Sequence, residues 1–412
     1  MKVLIKKIFE KLDLFIYIAS NVILKMFSGI AMIFVARYFT PTDYGTFRTL
    51  IAFLTLTGIL INLGLSDFFL YKASKTNPEK EIVHIISIYL LLYSLTFIPA
   101  CFLFSIVYKL SWIFFAIGYL KIFFDWSYDI ILKSLQAKNN FNLASIITII
   151  NALIIGMPVL CLYKCNLSLF YYIASVVFFA GLNFTFAFLI FKLKYKIIFK
   201  KVQRNFWEIV GKASPFFIAS IMVFVYLQSD VLMLGFLREL KEVAFYTSAT
   251  ALIFALYVLP TSVYNYFLPS LIKNSKNKKK FLQEQNIFIL AIFSLVIPIF
   301  LVIFFYARPI LHIIYSGKYD SSTLILKILS LGFFMHGFSF VAGASLTALG
   351  FQSIRAKMQV FAAVLNILLN IYFIPIYGAL GTAITTFITE IFLAVSYVYA
   401  TIKIEHKLFA NN

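Results

Sequence analysis

The sequence predicts an all-α, polytopic membrane protein of about twelve transmembrane helices, from its composition, its apolar runs and the placement of its charges. Of 412 residues, 62% are hydrophobic and only 13% are charged, whereas soluble domains average about 45–50% apolar and about 25% charged residues. Apolar runs of about 20 residues recur along the chain, each long enough to cross ~30 Å of hydrocarbon. A soluble globular fold is therefore excluded.

The twelve predicted spans follow from these runs. The first run follows a basic segment but is too long for the apolar core of a signal peptide, so we expect a retained helix. The predicted spans cover residues 12–36, 45–69, 82–107, 110–132, 143–163, 168–191, 213–236, 243–268, 287–307, 322–348, 358–374 and 378–401.

The basic residues are distributed unevenly between the two sides of these spans. The net charge is +20, which by itself would also fit a nucleic-acid-binding protein. Instead, 25 Lys and Arg residues lie in the N-terminus and every second connection after it, whereas the other connections hold 7. This positive-inside pattern predicts that both termini are cytoplasmic and that the charge serves contacts with membrane lipids rather than nucleic acid.

A long basic connection divides the spans six and six. It predicts an N-terminal lobe over residues 1–191, a cytoplasmic linker over 192–212 and a C-terminal lobe over 213–412. The lobes show weak internal similarity, since residues 43–47 (DYGTF) and 242–246 (EVAFY) lie at equivalent places. Six spans in each half would make the lobes parallel repeats around a central substrate cavity.

Polar residues in the first span form one stripe, because Asn21, Lys25 and Ser28 follow helical spacing. An ionisable group inside hydrocarbon normally faces a cavity or a partner. Lys25 would suit a phosphate or pyrophosphate group in a central cavity, or it would form an internal ion pair that fixes the packing. Asn21 and Lys25 are therefore candidate substrate-binding residues.

The fourth span carries Lys121, Asp125 and Asp129 at intervals of four residues. Lys121 and Asp125 can neutralise each other, which would leave Asp129 as a candidate proton or cation site. A purely structural ladder of ion pairs explains the same pattern equally well. We therefore keep Lys121 as a candidate substrate contact, and Asp125 and Asp129 as candidates for ion coupling.

Further candidates are spread over other spans. Arg48 and Tyr257 are further candidate substrate-binding residues. Arg48 would line the mouth of a cavity or extend to the membrane interface, and Tyr257 belongs to a row of hydroxyl-bearing aromatic residues that would suit sugar rings or helix packing. Asp230, His336 and Glu390 are candidates for ion coupling, with capping, ion pairing and hydrogen-bonded packing as the alternatives.

Several motifs are absent from the sequence. There is no P-loop, no nucleophile elbow and no cluster of histidines and cysteines with metal-ligand spacing. We expect no cofactor, no metal site, no catalytic residue and no enzymatic activity.

Four short stretches resemble the polysaccharide (O-antigen and repeat-unit) flippases, which share a superfamily with the MATE multidrug exporters and the lipid II flippases. The resemblance covers nearly the whole chain. Its specific parts are residues Ala36–Gly45, Ser229–Gly235, Ala307–Leu311 with Ser316–Tyr319, and Leu365–Asn370 with Ile374–Ala383, running on to Glu390.

This resemblance implies two six-helix lobes and alternating access in the bacterial inner membrane. The substrate would be an undecaprenyl-pyrophosphate-linked oligosaccharide used for O-antigen, capsule or exopolysaccharide assembly, with Lys25 as a cavity cation. A glycan polymerase and a chain-length regulator would be partners, and H⁺ or Na⁺ would be the coupling ion. The alternatives are a MATE-type cation-coupled exporter and, from a different class, an integral-membrane glycan polymerase or glycosyltransferase.

Overall fold

The computed structural model describes residues 2–74, 79–194 and 206–409, and over these residues the chain contains helices but no strand. A short 3₁₀ helix covers Asp320–Ser322. The α-helices within the described residues are α1 (Lys2–Tyr38), α2 (Pro41–Asn62), α3 (Leu65–Ala73), α4 (Glu79–Tyr108), α5 (Trp112–Ala137), α6 (Phe141–Cys165), α7 (Leu169–Lys194), α8 (Phe206–Leu237), α9 (Leu240–Leu256), α10 (Val258–Asn274), α11 (Lys278–Tyr315), α12 (Thr323–Ala348), α13 (Gln352–Tyr377) and α14 (Ala379–Phe409).

The chain divides into two compact units. Unit 1 comprises residues 1–38 and 47–227, and unit 2 comprises residues 39–46 and 228–412. In unit 1, α6 packs on α1 and α7, and α5 packs on α3, α4 and α7. In unit 2, α12 packs on α9, α10, α11 and α14, and α14 also packs on α13. The predicted linker 192–212 lies largely outside the described residues, so the predicted lobe boundaries stay a prediction.

The predicted membrane-spanning character is confirmed. Within the described residues, eleven helical segments are long and apolar enough to cross a membrane, with α9 and α10 counted as one. The remaining predicted span, 110–132, corresponds to α5, whose four charged side chains (Lys121, Asp125, Asp129 and Lys133) lower its hydropathy. The helices thus agree with the prediction of about twelve spans.

Large apolar side chains remain exposed on most helices. Ile98 is 75% exposed and Leu193 is 89% exposed, although such residues are usually buried in soluble domains. Helices that satisfy their own backbone hydrogen bonds can present such faces to lipid. The chain is a multi-pass membrane protein.

The second predicted span is broken in unit 1, where α2 gives way to α3. Leu63 and Gly64 between these helices have positive φ angles of 45° and 75°, which only glycine adopts without strain. The Asn62 side chain accepts a hydrogen bond of 3.1 Å from the Ser66 amide and so caps the start of α3. The break therefore places the polar side chains of Asn62 and Ser66 within the second predicted span.

A comparable break occurs in unit 2. There α9 and α10 meet at Tyr257, followed closely by Pro260, which lacks an amide donor and disfavours a continuous helix. Discontinuous helices are a common feature of transporters, where they line binding sites. The equivalent span of each unit is thus interrupted.

We expect Gly64→Ala to destabilise the protein. A Cβ at this position would lie 2.5 Å from the Phe217 backbone nitrogen and 2.7 Å from the Ala213 carbonyl oxygen, and the positive φ adds strain. The free energy of unfolding should fall by about 1–3 kcal/mol, measured as a lower melting temperature in detergent. The control is Gly156→Ala in α6, where a Cβ meets no atom within 4 Å. Equal melting temperatures for the two variants would contradict this account of the break.

Candidate functional site

A ladder of ion pairs runs along α5 in unit 1. Lys121 and Asp125 form the predicted ion pair. Asp129 lies one helical turn after Asp125. The Lys133 amine lies 3.0 Å from Asp129 Oδ2 and 2.8 Å from Asp67 Oδ1 on α3. Asp129, which was predicted to remain unpaired as a candidate proton or cation site, is therefore paired with Lys133.

The first cavity lies beside this ladder and the break between α2 and α3. Its volume is about 280 Å³. Trp126 forms part of its wall; its ring stacks on Tyr89 with centroids 3.6 Å apart, and its Nε1 donates a 3.0 Å hydrogen bond to Asn62. Polar residues along the lining are Lys121, Asp125, Asp129, Thr55, Asn62, Ser66 and Tyr89.

The second cavity lies in the same unit and has a volume of about 380 Å³. Lys121 and Asp125 line it as well, so this ion pair borders both cavities. Asn183 on α7 is 7% exposed, and its Oδ1 has no hydrogen-bond partner within the part of the chain that the structure describes. Other polar residues of this cavity are Ser28, Tyr128, Asn151 and Tyr172.

The predicted polar stripe of α1 is satisfied mainly by its own helix. Asn21 Nδ2 donates to the Tyr17 carbonyl at 2.8 Å, and Ser28 Oγ donates to the Leu24 carbonyl at 2.9 Å. Lys25 is exposed and lines neither of the two cavities above. Its role in substrate binding stays a prediction.

Arg48 in α2 combines partial burial with an unused donor. Its side chain is half-buried, and its Nε is a buried atom without a hydrogen-bond partner among the described residues. A buried guanidinium donor in this state costs free energy unless an acceptor reaches it. The role of Arg48 in substrate binding stays a prediction.

Asp230 on α8 is one of the buried residues among the predicted candidates. Its carboxylate is 5% exposed and accepts 2.7 Å hydrogen bonds from Tyr246 and Asn370, while Thr386 Oγ1 lies 3.2 Å from Oδ2. Asn366 accepts from Asn370 at 3.0 Å. These donors are all neutral. The described contacts of Asp230 include no basic side chain, so they do not support the predicted alternative of an ion pair.

A second polar pair lies in the same unit. His336 Nδ1 is 2.7 Å from Glu390 Oε2, and Glu390 is buried. The Tyr257 ring packs edge-on against His336, with centroids 4.8 Å apart. The sequence predicts a separate role for each of these three residues, whereas in the fold His336 contacts both Glu390 and Tyr257.

The connection between α11 and α12 contains an exposed lysine, Lys318, followed by a buried tyrosine, Tyr319. Lys318 donates a 3.2 Å hydrogen bond to the Phe39 carbonyl, and burial lowers the pKa of its amine. The adjoining Tyr319 packs between Tyr44 and Tyr315, and burial raises the pKa of its hydroxyl.

Two contributors to these sites were missed from the sequence. Lys133 could have been found, because it follows Asp129 at the i, i+4 spacing of a helical ion pair. Asp67 could not, because its contact with Lys133 joins residues of different helices. In the described part of the chain, no group of three or more His, Cys, Asp or Glu residues could hold a metal ion.

The chain matches a family model described as "Polysaccharide biosynthesis protein" over residues 12–272. It is 28% identical over 145 residues to a Shigella flexneri protein named "Putative O-antigen transporter", which covers 35% of this chain and 34% of that protein. The chain thus aligns with about a third of that relative's length.

Two solved structures share the fold. The inward closed conformation of the lipid II flippase MurJ has a TM-score of 0.77 at 18% identity, covering 96% of this chain and 90% of MurJ. An inward-facing MATE-family multidrug transporter has a TM-score of 0.75 at 12% identity, covering 94% of this chain and 96% of that transporter. At these identities the similarity shows the fold alone.

We expect Tyr246→Phe to destabilise the protein, because it removes a donor from the buried Asp230 carboxylate. An unsatisfied buried acceptor costs about 1–3 kcal/mol, so the melting temperature in detergent should fall. The control is Tyr372→Phe, since Tyr372 is 64% exposed. If both variants melt at the temperature of the parent protein, the Tyr246 hydroxyl does not support Asp230.

Proposed function

Because the chain belongs to the polysaccharide biosynthesis protein family, we propose that it flips an undecaprenyl-pyrophosphate-linked oligosaccharide from the cytoplasmic to the periplasmic leaflet of the bacterial inner membrane. The family match carries this proposal. The names of two similar proteins support it, since the Shigella flexneri relative is named an O-antigen transporter and MurJ is named a lipid II flippase. The product would serve O-antigen, capsule or exopolysaccharide assembly.

The pyrophosphate would be bound by cationic side chains. Lys25 is exposed on a membrane-spanning helix, and Arg48 has a buried Nε without a partner among the described residues. Arginine donors match phosphate oxygens particularly well. We therefore assign the pyrophosphate contacts to Lys25 and Arg48, with Asn21 one helical turn from Lys25 on α1.

Asp230 would bind the coupling cation. Its charge is surrounded by neutral donors in the described contacts, and an uncompensated carboxylate in a membrane is costly. Asn370 Oδ1 is also buried without a partner within the described residues. Oxygen ligands of this kind suit a hard cation such as Na⁺, and a proton would neutralise the same carboxylate. Glu390 with His336 provides a second titratable pair.

Both termini would be cytoplasmic, as the distribution of basic residues predicts. A glycan polymerase and a chain-length regulator would receive the flipped substrate. No catalytic step is assigned to the chain, because flipping changes the position of the lipid and leaves its covalent structure intact.

We expect cells that lack this protein to accumulate lipid-linked repeat units on the cytoplasmic face of the membrane. Without the cavity, the polar glycan cannot cross hydrocarbon at a useful rate, so surface polysaccharide should fall to the background level. The measurement combines extraction of lipid-linked glycans with immunodetection of the surface polymer. Normal export in a strain without a second homologous gene would contradict the proposal.

Complementation with variants refines the same experiment. Lys25→Ala should fail to restore export at normal protein abundance, and Lys25→Arg should restore part of it because it keeps the charge. Drug efflux without a glycan defect would instead favour a MATE-type exporter. Elongation of glycan by the purified protein would favour a polymerase.

A further inference from the structure

We propose that the Lys121–Asp125 pair and the two cavities beside it form a binding site for hydroxyl-bearing sugar rings. The proposal rests on the flippase function and deepens it, because it separates the part of the protein that holds the glycan from the residues that bind the pyrophosphate.

The charged residues of this site are open to solvent or ligand although they lie on a membrane-spanning helix. The side chains of Lys121 and Asp125 are 29% and 56% exposed, and that of Asp129 is 42% exposed. Charges on such helices normally face a bundle interior or a polar cavity rather than lipid. The first cavity provides that environment.

The balance of charge disfavours an anionic ligand. Lys121 is neutralised by Asp125, and Lys133 is shared between Asp129 and Asp67. Two ammonium groups therefore face three carboxylates, which leaves a net negative charge that repels phosphate and pyrophosphate. Sugar hydroxyls fit this set well, because they donate to carboxylates and accept from an ammonium group.

The wall of the first cavity is held in place before any ligand arrives. Trp126 is stacked on Tyr89 with an interplanar angle of 5° and bonded to Asn62. A binding group that is fixed by packing and hydrogen bonds loses little conformational freedom on binding. The aromatic pair thus supports a recognition surface rather than a loose packing gap.

The second cavity supplies an independent indication of a ligand. Asn183 is more than nine-tenths buried, lines this cavity, and has an Oδ1 without a partner among the described residues. A buried carbonyl oxygen without a donor is destabilising, and a sugar hydroxyl would satisfy it. Since Lys121 and Asp125 border both cavities, one oligosaccharide can occupy both cavities and contact this pair.

The test uses Trp126 as the reporter in the full-length protein in detergent. The other two tryptophans, Trp112 and Trp207, are exposed, so a Trp112→Phe, Trp207→Phe variant leaves Trp126 as the only indole. The probes are methyl glycosides of each sugar released by acid hydrolysis of the cells' own surface glycan, and inorganic pyrophosphate.

We expect a saturable change in Trp126 fluorescence with at least one methyl glycoside and none with pyrophosphate. Asp125→Asn should weaken the sugar response about tenfold, as expected when a charged hydrogen-bond partner is lost. The matched control is Glu208→Gln, which disrupts an exposed i, i+4 pair with Lys212 in the same unit and should leave the response unchanged.

A charge swap distinguishes binding from folding. Lys121→Asp combined with Asp125→Lys keeps the ion pair, so the melting temperature should stay near that of the parent, while the sugar response is lost. No response to any methyl glycoside, a response to pyrophosphate, or unchanged sugar affinity in Asp125→Asn would each overturn the proposal. The accumulation of lipid-linked glycan in cells lacking the protein is a separate measurement. A negative result for sugar binding at this site therefore does not contradict the flippase function.

Discussion

The Asp230 carboxylate sets the main physical constraint in this protein, because a buried acid in a membrane-spanning helix must be stabilised by its surroundings. Unit 2 provides hydrogen bonds from Tyr246 and Asn370, with Thr386 close by. These neutral groups spread the charge without cancelling it. Because its described contacts contain no opposite charge, we propose this carboxylate as the site of the coupling cation or proton.

Unit 1 meets the same constraint differently. Along α5, each charged side chain has an opposite partner, and Lys133 joins Asp129 to Asp67 across two helices. A ladder of paired charges can line a polar cavity at modest cost and still present hydrogen-bonding groups to a ligand. The two units thus stabilise charges on their helices differently, with ion pairs in unit 1 and neutral hydrogen-bond donors in unit 2.

Sequence periodicity was sufficient to predict the helical class, the approximate number of spans and the Lys121–Asp125 pair, since all three depend on local spacing. It was not sufficient to predict the surroundings of Asp230, because Asn370 and Thr386 lie 140 and 156 residues away along the chain. The approach of His336 to Glu390 likewise depends on the packing of α12 against α14. Long-range partners of polar residues in apolar helices leave no periodic signal.

The role of Asp230 is tested most directly in proteoliposomes that contain the protein and a fluorescent lipid-linked oligosaccharide. Flipping of this lipid is measured under an imposed Na⁺ or H⁺ gradient. The parent protein should flip the lipid at a rate that rises with one of the two gradients. Asp230→Asn, which removes the charge but keeps a similar shape, should abolish that dependence. An Asp230→Asn protein that responds to the gradient as the parent does would contradict the central role of this carboxylate.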